Sequence, residues 1–415
     1  MPKVKNKRSK LYIMQIFILA LIVAACKFIG ESTFAKSKVA TKTPTENRVT
    51  EKIETINKSN KMIGLWISYL DLKISNTLNP EQEFKSKYQN IIKSAVENNI
   101  NTLIVQVRPF SDALYPSKIY PWSHILTGNQ GQNPGFDPLK YMIETTHKNG
   151  LKFHAWINPY RISINNIPDK ISALNPYNTQ ETKDSIKYEG GICYNPASKK
   201  IQSIITNGVK EIVTTYDVDG IHFDDYFYPE HSSAITNDNI YQEYCQKGGK
   251  MGIHQWRAKH VNALIKNVYK FIKEINPKVE FGISPSGNFK NCACIGSDIK
   301  TWCENEGYVD YICPQIYWSL DFNIMPFEKT AKEWKELIKN QNINLYCGLA
   351  LYKVGTQADC GTWQNRDDIL ANEFKISEKL KYNGVALYSY AQLCSKEAEK
   401  EMQNLKKEFA KIGSN

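Results

Sequence analysis

From residue 62 onward the chain alternates between two hydrophobic patterns. Short apolar runs, rich in β-branched and aromatic residues, give way to longer stretches with the apolar spacing of a helix. The short runs are MIGLWISYL (62–70), NTLIVQVR (101–108), LKFHAWIN (151–158), VDGIHFDD (218–225), VEFGISPS (279–286), VDYICPQIYW (309–318), INLYCGLALY (343–352) and NGVALYSYA (383–391). Between them stand stretches such as EQEFKSKYQNIIKSAVENN, DPLKYMIETTHKNG and WRAKHVNALIKNVYKFIKEI. Several end in Asn-Gly or Asn-Asn, as a helix stop should. Eight strand–helix repeats over residues 61–412 predict a (β/α)8 barrel. A doubly wound sheet is the alternative, but no G-x-G-x-x-G follows the first run.

Strands of such a barrel are buried on both faces and read as nearly continuous apolar runs. Polar residues at their C-terminal ends therefore stand out: Asp71, Arg108, Asn158, Asp224, Asp225, Ser284, Gln315, Tyr317 and Tyr388. That rim is where barrel enzymes carry their chemistry. The connections 109–136, 159–197 and 226–250 are long and rich in aromatics, and predict the walls of a cleft.

The first segment belongs to a different class. MPKVKNKRSK is basic and LYIMQIFILALIVAA is apolar, the order of an export signal, here assigned to residues 1–35. Three endings fit: lipidation of Cys26 in VAAC, ordinary cleavage after TFA (33–35), or retention as an uncleaved membrane anchor. Each places the domain outside the cytoplasmic membrane, anchored at the cell envelope or secreted. Residues 36–60 lack apolar periodicity and predict a polar tether. The net charge of +11 changes meaning once this segment is set apart. Residues 1–61 hold 13 Lys/Arg against 4 Asp/Glu, and the remainder is nearly balanced. A nearly neutral body argues against nucleic acid as a partner. Ten cysteines without a C-x-x-C pair, and seven histidines without metal-ligand spacing, predict neither a zinc site nor another cofactor. The spacing allows a disulfide or two around 292–303 without fixing a pairing.

Within DGIHFDDYFYP (219–229), Asp224 and Asp225 end an apolar run and meet three aromatics. Adjacent carboxylates raise each other's proton affinity, which suits acid/base work on a glycosidic bond. Arg108 is a candidate for a substrate carboxylate or for holding one aspartate ionised. Asn158 and Gln315 are candidates for hydroxyl or acetamido groups, Tyr317 and Trp318 for a phenol and a stacking face, and Tyr388 and Asp71 for further substrate contacts. Asp219 lies at the opposite end of its run and His222 on the opposite face from its neighbours, so both read as structural. A second catalytic carboxylate, if one is needed, would come from Asp71, Asp112 or Asp321.

The segments GLWISYLDL, NTLIVQVRPFSDALYPS, FDPLKYMIETTHKNGLKFHAWINPYR, YDVDGIHFDDYFYP, GISPSG, WCENEGYVDYICPQIYW and GVALYSYAQL resemble, in order, the bacterial glycosyl-hydrolase-like family ten. The resemblance spans about residues 60–400. It implies a (β/α)8 barrel, export with frequent lipid anchoring, and glycoside hydrolysis at the cell envelope. The substrate it suggests is peptidoglycan glycan stripped of its peptides. Two other readings use the same features. A non-catalytic wall-binding module would keep the aromatic cleft, and a glycosidase for another extracellular polysaccharide would keep the chemistry.

Overall fold

The computed structural model describes residues 61–75, 78–364 and 366–412. The leader, the tether and Cys26 lie outside the described residues. The described residues include eleven strands: β1 (Met62–Ile67), β2 (Thr102–Arg108), β3 (Lys152–Ile157), β4 (Arg161–Ile164), β5 (Ser185–Tyr188), β6 (Gly191–Tyr194), β7 (Gly220–Phe223), β8 (Glu280–Ile283), β9 (Tyr311–Ile312), β10 (Asn344–Leu349) and β11 (Gly384–Leu387). Eight of them close into a barrel in the order β1-β2-β3-β7-β8-β9-β10-β11, every pairing parallel. The eight apolar runs each contain one barrel strand. The (β/α)8 expectation is met.

The two-residue period of a strand divides the buried residues into two sets. One set faces the helices and forms the main core, including Ile63, Leu65, Val105, Phe153, Ile221 and Phe281. The other fills the barrel: Met62, Trp66, Ile104, Trp156, Tyr311, Cys313, Tyr346 and Ala386. Among the surrounding helices, Pro138–Lys148 starts at an Asp137 cap, whose side chain accepts from the Lys140 N–H at 3.1 Å. Helix Lys199–Thr215 is capped the same way by Ser198.

The N-terminal ends of the strands are fastened by a repeated device. Asn101, Asp219, Asp310 and Asn383 each stand one residue before a barrel strand. Each side chain accepts a backbone N–H from the strand before its own. The donors are Ile63 at 2.8 Å, Phe153 at 2.7 Å, Phe281 at 2.6 Å and Leu345 at 3.0 Å. Asp219 is therefore structural, as its position predicts.

The connection after β3 is more ordered than a plain loop: it carries a small antiparallel sheet, β4-β6-β5, whose residues Arg161, Ile164, Tyr188 and Cys193 line a hollow beside Asp225, as expected of a cleft wall. Its strands are four residues each, too short for alternation to show, and β5 turns into β6 at Gly190 with φ of 105°. The nine described cysteines, including Cys292, Cys294 and Cys303, are free thiols.

Candidate active site

Asp224 follows the last residue of β7 and keeps the inward direction of His222. It is buried. Its Oδ2 accepts from Trp156 Nε1 at 2.9 Å and from Asn158 Nδ2. Its Oδ1 keeps one long contact, from the Tyr226 N–H at 3.3 Å. Asn158 is itself clamped, its Oδ1 accepting from Gln106 Nε2 and, at 2.8 Å, from Arg161 Nη2. Asp225 is half-buried, and its Oδ1 accepts from Gln315 Nε2 at 3.2 Å. Gln315 also donates to the Ser284 carbonyl at 2.8 Å, which fixes the amide's orientation.

The two carboxyls stand in unequal fields. Burial pushes Asp224 up to about 6, while Arg161 and the Trp156 donor pull it back. Burial, then the neighbouring Asp224 charge, pushes Asp225 up to about 7. A pair whose environments split their proton affinities is the arrangement that gives one acid and one base at near-neutral pH.

The other sequence candidates divide. Gln315 meets Asp225. Asn158 spends its amide on Asp224 and its neighbours, so it positions the carboxylate rather than offering hydrogen bonds to a ligand. Tyr317 and Tyr388 are half-buried with ring centroids 5.8 Å apart, and Tyr388 stands 6.0 Å from Trp66. Asp71 accepts from the Ser68 N–H at 2.7 Å and the Ser68 hydroxyl at 2.9 Å, which closes its own turn.

Two candidates are corrected. Trp318 does not offer an open stacking face: it belongs to the main core, and a Cβ on Gly287 would lie 2.7 Å from its ring. Arg108 does not reach the aspartates. A register shift between Gln106 and Arg108 ends the strand's alternation. The guanidinium is buried 4.1 Å from the Tyr120 ring centroid, under helix Lys199–Thr215. A Cβ on Gly208 of that helix would lie 2.2 Å from Arg108 Nη1. Gly208→Ala should therefore lower Tm, since overpacking costs about 1–3 kcal/mol and the helix gains only about 1 kcal/mol over glycine. Thermal denaturation of the variant checks this.

Residues not foreseen are Gln106, Trp156 and Trp66. The signal was present. Gln106 follows Ile104, and Asn158 follows Trp156, at the two-residue spacing of one inward face.

Beneath the site a chain of hydrogen bonds runs down the barrel. Trp66 Nε1, which can only donate, lies 3.3 Å from His222 Nε2. That nitrogen must accept, and burial keeps the imidazole neutral, so the proton sits on Nδ1. Nδ1 then donates to the Tyr311 hydroxyl at 2.8 Å, and that hydroxyl to His154 Nδ1 at 3.0 Å. The Ser284 hydroxyl lies 2.9 Å from His222 Nε2. The rings fit because two neighbours are glycine. A Cβ on Gly220 would lie 2.7 Å from His154 Nδ1, and one on Gly282 would lie 2.0 Å from Tyr311 Cζ.

A closed (β/α)8 barrel with two such carboxylates at its C-terminal mouth has the architecture of a glycoside hydrolase, and its relatives bear this out: the protein is a glycoside hydrolase. A family model described as Glycosyl hydrolase-like 10 matches residues 61–364. The chain belongs to that family. It is 36% identical over 370 residues to glycosyl hydrolase DigH of Escherichia coli O6:H1, covering 81% of this chain and 82% of the relative. It is 38% identical over 297 residues to glycosyl hydrolase YngK of Bacillus subtilis, covering 67% of this chain and 58% of the relative. Among solved structures, the fold resembles the PgaB (BpsB) glycoside hydrolase domain from Bordetella bronchiseptica. The TM-score is 0.56 at 10% identity, over 83% of this chain and 98% of that one. It also resembles α-L-fucosidase isoenzyme 2 from Paenibacillus thiaminolyticus, with a TM-score of 0.52 at 12% identity, over 85% and 49% of the two chains. These two likenesses concern the fold alone.

Proposed function

We propose that this glycoside hydrolase cuts glycan strands of the cell envelope, namely peptidoglycan stripped of its peptides, with Asp225 as acid/base and Asp224 orienting the substrate's acetamido group. The basic–apolar leader supports an extracytoplasmic place, held by lipid on Cys26 or by the leader itself. The observation that carries the mechanism is the unequal pair at the barrel mouth. The carboxylates that would serve a two-strand scheme are engaged elsewhere. Asp112 is buried, accepting from the Phe110 N–H at 3.0 Å and Gln130 Nε2 at 3.2 Å. Asp321 pairs with Arg366, and Asp71 closes its turn.

An acetamido nucleophile removes the need for a distant carboxylate. Its carbonyl oxygen attacks the anomeric carbon as Asp225 gives its proton to the departing oxygen. Asp224, ionised, accepts from the amide N–H and offsets the charge that builds there. Water then attacks the same carbon, giving its proton to Asp225, as the bond to the acetamido oxygen breaks and the amide re-forms. Two displacements at one carbon retain the anomeric configuration.

Incubating the purified protein with denuded strands and reading products by mass spectrometry tests the proposal. Short glycans are expected, and intact strands would overturn it. Strands that co-sediment uncut would favour a binding module. The pH dependence is a second check. Below about 6 Asp224 gains a proton, and above about 7 Asp225 loses the one it must give. The profile of kcat/KM should be bell-shaped with its maximum between those limbs.

A further inference from the structure

Beside Asp225 a hollow of about 230 Å³ opens between the segment after β7 and the small sheet. Its walls include Arg161, Tyr188, Tyr226 and His231, with Ile164 and Ile295 behind them. Arg161 is the one permanent cation among the lining residues. It is held from two sides: Nε donates to the Pro109 carbonyl at 2.8 Å and Nη2 to Asn158 Oδ1 at 2.8 Å. The Phe110 ring lies 4.6 Å from its guanidinium carbon and the Tyr226 ring 5.8 Å. Nη1 makes no hydrogen bond among the described residues. A guanidinium fixed this way loses little freedom when an anion arrives, and its planar fork matches a carboxylate.

We propose that this hollow is a subsite for a sugar bearing a free carboxylate on a short aliphatic arm, with Arg161 taking the carboxylate and Ile164 and Ile295 backing the arm. The assignment rests on the glycosidase reading and sharpens it. Asp225 holds its proton below about 7, so on the acid side of that value a single ionised aspartate, Asp224, faces Arg161. Glu230 lines the same hollow but is exposed, where water and salt screen it. Attaching a peptide to the sugar's carboxylate would replace the charge with an amide and add bulk to a small hollow. The subsite thereby accounts for a preference for stripped strands.

The test is calorimetric binding of N-acetylmuramic acid, its carboxamide and N-acetylglucosamine to the wild-type protein. The acid should bind roughly tenfold or more tighter than the amide, the scale of a hydrogen bond to a charged group. Arg161→Met should abolish that difference and Arg161→Lys should retain part of it, with circular dichroism confirming that both variants fold. Equal affinity for acid and amide in the wild type overturns the subsite. So does a preference that survives in Arg161→Met, or a lack of binding by the acid at millimolar concentration. Binding is read without turnover, so the two ideas can fail separately. Selective binding with no strand cleavage keeps the subsite and removes the proposed substrate. Cleavage without acid preference does the reverse.

Discussion

Asp225→Asn should lower kcat on a cleavable glycan by about 10²–10⁴-fold, the range a positioned general acid supplies. Asparagine keeps the shape and can turn its carbonyl towards Gln315 Nε2, the wild-type partner at 3.2 Å. KM and the fold should therefore change little. What is lost is the proton for the departing oxygen. A substrate whose leaving group needs no proton, such as a nitrophenyl glycoside, should be hurt far less at the bond-breaking step. Stability should move the other way. The folded-state value of Asp225 lies above the ordinary carboxylate value. Ionising it therefore costs the folded state increasingly as pH rises from the ordinary carboxylate range to about 7, and costs nothing once both states are protonated in acid. The variant lacks that cost. Its Tm relative to wild type should be higher at about pH 8 than at about pH 4. Near-wild-type turnover would remove Asp225 from the mechanism.

Asp224→Asn should cost about 10²–10³-fold in kcat, the scale seen when one preorganised electrostatic partner of a developing charge is removed. The loss should be the same for good and poor leaving groups, which separates it from the first variant. The geometry explains why an amide cannot substitute. Two donors, Trp156 Nε1 and Asn158 Nδ2, converge on one carboxylate oxygen. Asparagine must place its carbonyl there, and its NH2 then faces the Tyr226 N–H, which donates to Oδ1 in the wild type. No acceptor is left for a substrate amide, and the charge that balances Arg161 is gone. Kinetics on substrates of differing leaving-group ability decide between the two roles. If the dependence on leaving group falls on Asp224 instead, the assignments exchange.

The barrel was legible in the sequence because each strand is a short apolar run followed by a helix-period stretch, and this signal repeats. The paired aspartates were legible because they interrupt such a run. Asn158 and Arg108 show where reading stops. Both end a strand, and nothing in composition separates them. One continues the inward alternation of Trp156, whereas the other follows a register shift that turns it beneath a helix. That shift depends on pairing between strands, which a single chain does not display. Trp318 was misread for a related reason. The space above it is set by Gly287, thirty-one positions earlier. The small sheet escaped notice because four-residue strands carry too few alternations to count.

The side chains that precede β2, β7, β9 and β11 have a consequence for the symmetry of the molecule. Each fastens its own strand to the one before, so the closed sheet is tied as couplets: β1 with β2, β3 with β7, β8 with β9, and β10 with β11. Rotating the ring by one strand puts a fastening where there is none, whereas rotating it by two maps fastenings onto fastenings. Chemically this barrel is a fourfold ring of doublets rather than an eightfold ring of equals. A ring with an odd number of strands could not be closed by this rule.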